Sequence, residues 1–118
     1  MLDRPLRLRR DADFARVRSL GKQWRHPLLT LAYAPNALDH NRYGFVTTRR
    51  LGNAVTRNRA KRLMREIIRL AHSRLQTGLD IVLIARQELI EQPFQIIQAA
   101  IHSLLSRAHL WVEGIEPK

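Results

Sequence analysis

The chain has 118 residues, 45% of them apolar, with 21 basic against 10 acidic side chains, a formal net charge of +11 and no cysteine. That length fits one domain around a single core, and the apolar share excludes a wholly disordered basic tail. The charge favours an anionic polymer or surface as partner, while the lack of thiols excludes disulfides and cysteine metal sites and fits a reducing compartment.

Residues 1–10 read as a flexible basic N-terminus, without the continuous apolar run of a signal peptide. The longest apolar run, Ile81 to Ala85, is too short to span a bilayer, so a soluble cytoplasmic protein with no membrane contact is expected. Asp11 is placed to cap a short helix through Leu20, with Phe14 and Val17 on its inner face and Gly21 just beyond. Trp24 to His26 reads as an edge strand, and Leu28 to Tyr33 as a strand ending at Pro35-Asn36. From Arg42 to Thr48, Tyr43, Phe45 and Thr47 alternate with Gly44, Val46 and Thr48, the period of a strand whose two faces are used differently.

A second helix is predicted over 57–75, with Thr56 as its cap and Gly78 just past its last periodic residue. Ala60, Leu63, Met64, Ile67, Ile68, Leu70 and Ala71 fall in one apolar arc, and Lys61, Arg62, Arg65 and Arg69 project opposite, with Asn58 among them and Arg57 and Arg59 at the borders. Asp80 to Ala85 is continuously apolar after its first residue and β-branched, as in a strand covered on both faces. After Pro93, Phe94, Ile97, Ile101, Leu104, Leu105 and Ala108 recur at helical spacing and form a core stripe. The order is therefore αβββαβα, a single-domain α+β sandwich with a small mixed sheet.

Charge is concentrated in the middle of this order. Residues 42–75 hold 10 basic groups and one acid, Glu66, whereas 76–118 carry more acids than bases. A solvated charged helix normally mixes both signs at i,i+4 spacing, so this one-sided face calls for an external counter-charge and points to a polyphosphate. Arginine supplies 18 of the 21 cations, and its planar fork suits phosphate.

Groups for bond breaking are missing from this pattern. A protein nuclease needs metal-binding carboxylates or a positioned base, yet Asp3, Asp11, Asp13, Asp39, Asp80, Glu88, Glu91, Glu113 and Glu116 all lie outside the basic region. Histidines 26, 40, 72, 102 and 109 show no HxxxH or HxH spacing, and there is no P-loop, GxGxxG or GxSxG. No catalytic residue and no protein-bound cofactor or metal is assigned. The chain is equipped to hold RNA or DNA without cutting it, and Phe14, Trp24, Tyr33, Tyr43, Phe45 and Trp111 are the candidates for base stacking, although for any one of them taken alone core packing is the commoner role.

The run from Gly44 through Thr47-Thr48-Arg49-Arg50-Leu51-Gly52-Asn53-Ala54-Val55 to Arg57-Asn58-Arg59-Ala60-Lys61-Arg62-Leu63-Met64-Arg65-Glu66 resembles the bacterial ribonuclease P protein subunit. Arg7-Leu-Arg-Arg-Asp-Ala-Asp-Phe14 and Asp80-Ile-Val-Leu-Ile-Ala-Arg86 extend the resemblance over nearly the whole chain. The resemblance implies a protein partner, one per RNA, for a catalytic RNA that removes the 5′ leader of precursor tRNA with magnesium. It assigns Arg49, Arg50, Asn53, Arg57, Asn58, Arg59, Lys61, Arg62, Arg65 and Arg69 to the catalytic RNA. Phe14, Arg18, Tyr33, Phe45 and Thr47 are assigned to one leader cleft between the first helix and the sheet. Where the family often has an aromatic, this chain has Arg18, so contact there would be ionic or by cation stacking. The resemblance also implies a left-handed βαβ crossover, against the general right-handed rule. By composition alone, a structural RNA-binding protein of the ribosome is the alternative.

Overall fold

The computed structural model describes residues 4–112. Helices α1 (Asp11–Leu20), α2 (Ala54–Ala71) and α3 (Phe94–Arg107) alternate with strands β1 (Lys22–Arg25), β2 (Leu29–Pro35), β3 (Arg42–Val46) and β4 (Leu79–Ala85) in the expected order αβββαβα. The strands form one sheet in the order β1-β2-β4-β3, with β3 and β4 parallel and the other pairs antiparallel. β4, central between β2 and β3, is covered by α1 on one face and by α2 and α3 on the other, which accommodates an apolar run at Ile81, Val82 and Leu83.

Alternation along the strands separates two cores. Leu29, Leu31, Tyr43, Ile81 and Leu83 pack against Met64, Ile67 and Ile68 of α2 and Ile97, Ile101, Leu104 and Leu105 of α3. Ala32, Ala34 and Val82 meet Val17 of α1 on the opposite face, with Phe14, Val46 and Ile84 packed at its margin. Each fully buried Leu, Ile or Met contributes roughly 1.5–3 kcal/mol, so α2 is held by its apolar stripe far more than by helix propensity. Leu70 is the exception in that stripe, at 44% exposure.

The handedness of the β3–α2–β4 connection follows from this alternation. Arg86 N donates to Leu28 O, and Asn36 N donates to Gly78 O, so even-numbered main-chain groups of β4 point toward β2. Odd-numbered side chains of β4 point toward α2. In an L-residue strand running upward, a residue whose side chain faces the viewer has its N–H and C=O on the right. Viewed from α2, β2 therefore lies to the left of β4 and β3 to its right. The chain rises in β3, descends in α2 in front and moves left to β4, a left-handed crossover, against the usual preference.

Several boundaries differ from those expected. The cap of α2 is Asn53, whose Oδ1 accepts the Thr56 N–H at 2.9 Å, and the helix starts at Ala54. The preceding residue decides this: Gly52 has φ +132°, a conformation open essentially to glycine, and the chain turns there rather than at Thr56. Asn53→Ala is expected to cost about 1 kcal/mol, read as a lowered thermal midpoint with RNA-free protein. The regular helix ends at Ala71, a short 3-10 turn over His72–Arg74 follows, and Gly78, at φ +84°, belongs to the turn entering β4 rather than to a helix terminus. In α1, Arg10 occupies the cap position without a side-chain cap bond, and Asp11 is the first helical residue.

The flexible N-terminus is also corrected from Arg4 onward. Arg4–Leu6 forms a 3-10 turn, Arg7 bridges to Tyr43, and Leu8, buried, donates its N–H to Tyr43 O at 2.7 Å. This segment covers the open edge of β3, satisfying backbone groups that an edge strand exposes. Asp3, Glu113 and Glu116 lie outside the described residues.

Candidate nucleic-acid interface

The second helix turns its apolar stripe into the sheet, so 3.6-residue periodicity carries its cations outward. Asn58, Arg59, Arg62 and Arg69 are exposed, and Arg57, Lys61 and Arg65 are half-buried. The 3-10 turn Arg49–Leu51 before it adds Arg49 and Arg50, both exposed, while Leu51, its last residue, anchors it in the core. Of the expected contact residues, Asn53 has a structural duty as the cap, and its exposed edge lies on the same end of the helix.

Anionic groups do little to offset this face. Glu66 takes three hydrogen bonds from Arg69, at 2.6, 3.0 and 3.2 Å, an i,i+3 pair that holds the Glu66 carboxyl below its ordinary range. Arg57 and Arg59 make only long tethers, to Asn53 O at 3.4 Å and Ile90 O at 3.5 Å. Arg65 lies over the Phe45 ring, 5.7 Å from its centroid, which orients the guanidinium across the sheet margin. Burial, and then the charge of Arg7, lowers its affinity for its proton. Its Nε and the Oγ1 of Thr47 are buried without a hydrogen-bond partner. A cavity of about 430 Å³ opens beside it, bordered by Arg59, Arg62, Leu63, Arg65 and Glu66.

The other end of the sheet is held by a buried carboxylate. Asp80, fully buried, accepts from Arg42 Nε at 2.9 Å and Nη2 at 2.7 Å, from Asn36 Nδ2 at 3.0 Å, and from Arg16 Nη2. Arg16 also donates to Pro35 O at 3.0 Å, so α1 is tied to the sheet at two points. The hydrogen bonds that Arg42 donates to Asp80 hold its guanidinium pKa above the usual range, and Asp13 lies 3.7 Å from it. A second polar knot fixes the far end of α2: Asn41 donates to Gln76 O and the Tyr43 hydroxyl and accepts the Leu79 N–H, and the Tyr43 hydroxyl lies 2.8 Å from His72 Nδ1. Burial pushes Tyr43 up to about 12, keeping it neutral.

The five residues expected in one leader cleft are divided by the sheet. Phe14 lies on the α1 face over Gly44, where a Cβ would stand 2.4 Å from the ring, so a residue without a side chain is needed beneath it. Arg18 is exposed on the same helix, and Asp11, Phe14, Ala15, Arg18 and Ser19 border a cavity of about 540 Å³. Phe45 faces the other way, beneath Arg65, and Tyr33 stacks on Trp24 at 5.3 Å among the residues packed on the α2 and α3 face. Thr47 lies beyond the end of β3. Adjacent residues of a strand point to opposite faces, so Gly44 beneath Phe14 forces Phe45 away from it.

The α1 face carries a different set of residues. Arg25, Thr30, Ile84 and Val46 are in register across all four strands and share the face of Phe14. All four are half-buried or exposed. This row flanks α1 as a shallow apolar floor with an arginine at one end. The period-2 pattern of β2 and β4 contained the signal, but only the strand order brings the four together.

Among the described residues, no group of three or more His, Asp or Glu gathers into a possible metal site, and no helix is long and apolar enough to cross a membrane. Together these features define a small basic α+β domain whose cationic helix and neighbouring sheet face are built to take a polyanion. Comparison with known proteins then places it: the chain belongs to the ribonuclease P protein family, whose model, described as Ribonuclease P, matches residues 2–109. The ribonuclease P protein component of Herpetosiphon aurantiacus is 40% identical over 98% of this chain and 94% of its own length. That of Chloroflexus aggregans is 50% identical over 88% and 78%. The RNase P protein of Thermotoga maritima superposes with a TM-score of 0.79 at 32% identity, covering 92% of this chain and 98% of its own. A mutant of the Staphylococcus aureus protein gives 0.85 at 30%, covering 91% of each.

Proposed function

We propose that this protein is the protein subunit of a cytoplasmic ribonuclease P ribonucleoprotein, one copy binding one catalytic RNA and assisting removal of the 5′ leader from precursor tRNA. The observation that carries the reading is the α2 face, where Arg57, Arg59, Lys61, Arg62 and Arg65 stand outward and only Arg69 has an acidic partner among the described residues. Such a surface gains most from a partner of dense phosphate charge, through release of its counterions. Hydrolysis belongs to the RNA and its magnesium, and the protein acts by offsetting repulsion among RNA, leader and metal. The family relationship favours this over a structural role in the ribosome. Reconstitution is the test. Protein alone should leave precursor tRNA intact, and with the catalytic RNA it should raise cleavage at limiting magnesium; no stimulation sinks the proposal.

The leader, in this reading, lies along α1 over Phe14, Val46, Ile84 and Thr30, with Arg18 and Arg25 meeting its phosphates. Phe45 and Tyr33 stay on the opposite face. Phe14→Ala should weaken binding of leader-bearing substrate by about tenfold, the loss of one stacked base, and leave leaderless tRNA unaffected. An equal loss for both substrates would return Phe14 to a packing role.

A further inference from the structure

The N-terminal end of α1 opens on a cavity of about 500 Å³ bordered by Arg4, Arg7, Arg9, Arg10, Arg42 and a single acid, Asp13. Asp13, the one acid on its border, stands beside the Arg42 guanidinium, which Asp80 also holds in a fork. Arg4, Arg9 and Arg10 are exposed, and no carboxylate among the described residues pairs with any of them. Like charges gathered round one concavity repel each other, and the arrangement is relieved when an anion enters.

Its position extends a surface already described. Arg7 is bridged to Tyr43 along the edge of β3 and its charge reaches Arg65 of α2. Cations therefore continue from the α2 face round the edge of β3 to this cavity. The cavity lies on the Asp13 side of α1, whereas the leader floor lies on the side of Phe14, Ala15 and Arg18. About 500 Å³ is far more room than one phosphate fills, and guanidiniums form paired hydrogen bonds with phosphate oxygens.

We infer that this cavity is a second phosphate-binding site, in which Arg4, Arg9 and Arg10 take consecutive phosphates of the catalytic RNA that also lies on α2. The inference rests on the proposed ribonuclease P role. It is tested with the full chain carrying Arg4→Ala, Arg9→Ala and Arg10→Ala together. Binding to the catalytic RNA is followed against salt, beside a variant with Arg57→Ala, Arg59→Ala and Arg62→Ala on α2. The N-terminal variant should keep its thermal midpoint and lower the log–log salt slope by about 2 to 3, one phosphate contact per arginine. Three lysines at the same positions should restore most of the slope. An unchanged slope, while the α2 variant loses its own, overturns this site and leaves the α2 reading standing. If neither variant changes the slope, the RNA-binding reading itself fails. A loss seen only when leader-bearing substrate binds the holoenzyme overturns the assignment to the catalytic RNA.

Discussion

Asp80→Ala is expected to destabilise the fold by about 3 kcal/mol, the cost of removing one partner from a buried ion pair. The carboxylate is fully buried and accepts from Arg42, Arg16 and Asn36, so its loss leaves a guanidinium fork and an amide facing an apolar hole. Arg42 and Arg16 keep 26% and 32% of their side chains exposed, and solvent reaching them holds the cost below that of a fully enclosed pair. Denaturant unfolding of RNA-free protein measures it. A change under 1 kcal/mol would mean that water replaces the carboxylate. Because Arg16 is the side chain by which α1 is tied down, the same variant should lose leader discrimination while its affinity for the catalytic RNA is largely kept.

Arg57→Ala, Arg59→Ala and Arg62→Ala combined should act in the opposite sense. None of the three side chains has an acidic partner among the described residues, and Arg57 and Arg59 have only long backbone tethers. Stability should shift by no more than about 0.5 kcal/mol, as for surface positions generally. Affinity for the catalytic RNA should fall on the order of a hundredfold or more, with the log–log salt slope reduced by about 2 to 3. Filter binding across a salt series reads both. A slope that does not move would place these arginines away from the RNA.

The order of elements was legible because periodicity is a local property. The stripe Met64, Ile67, Ile68, Ala71 and the alternation through Tyr43, Gly44 and Phe45 each predict an element without reference to the rest of the chain. Caps were less so. Asn53 and Thr56 are both good cap residues, and the choice between them depends on the φ of Gly52. Sidedness was not legible at all. The sequence of β3 dictates that Gly44 and Phe45 face apart, but which of them meets α1 depends on strand order and on the hand of the crossover. The family resemblance thus groups into one cleft residues that the sheet divides, and the row Arg25, Thr30, Ile84, Val46 is visible only in the strand order. Asp80 is similar: read alone it is one acid among scattered acids, and its partners Arg42 and Arg16 stand 38 and 64 positions away.

The central place of β4 has a consequence for how the molecule is made. Of the four strands it is synthesised last, yet it is the only neighbour that β2 and β3 share. Until residues 79–85 have emerged, β1 and β2 can form no more than a two-stranded hairpin, which is marginal in water, and β3 has no strand partner. The residues of the cationic helix are synthesised before the sheet they pack against is whole. On the ribosome, among long stretches of ribosomal RNA, this chain therefore passes through an interval in which its most cationic segment is already synthesised and the sheet that holds it is not yet whole.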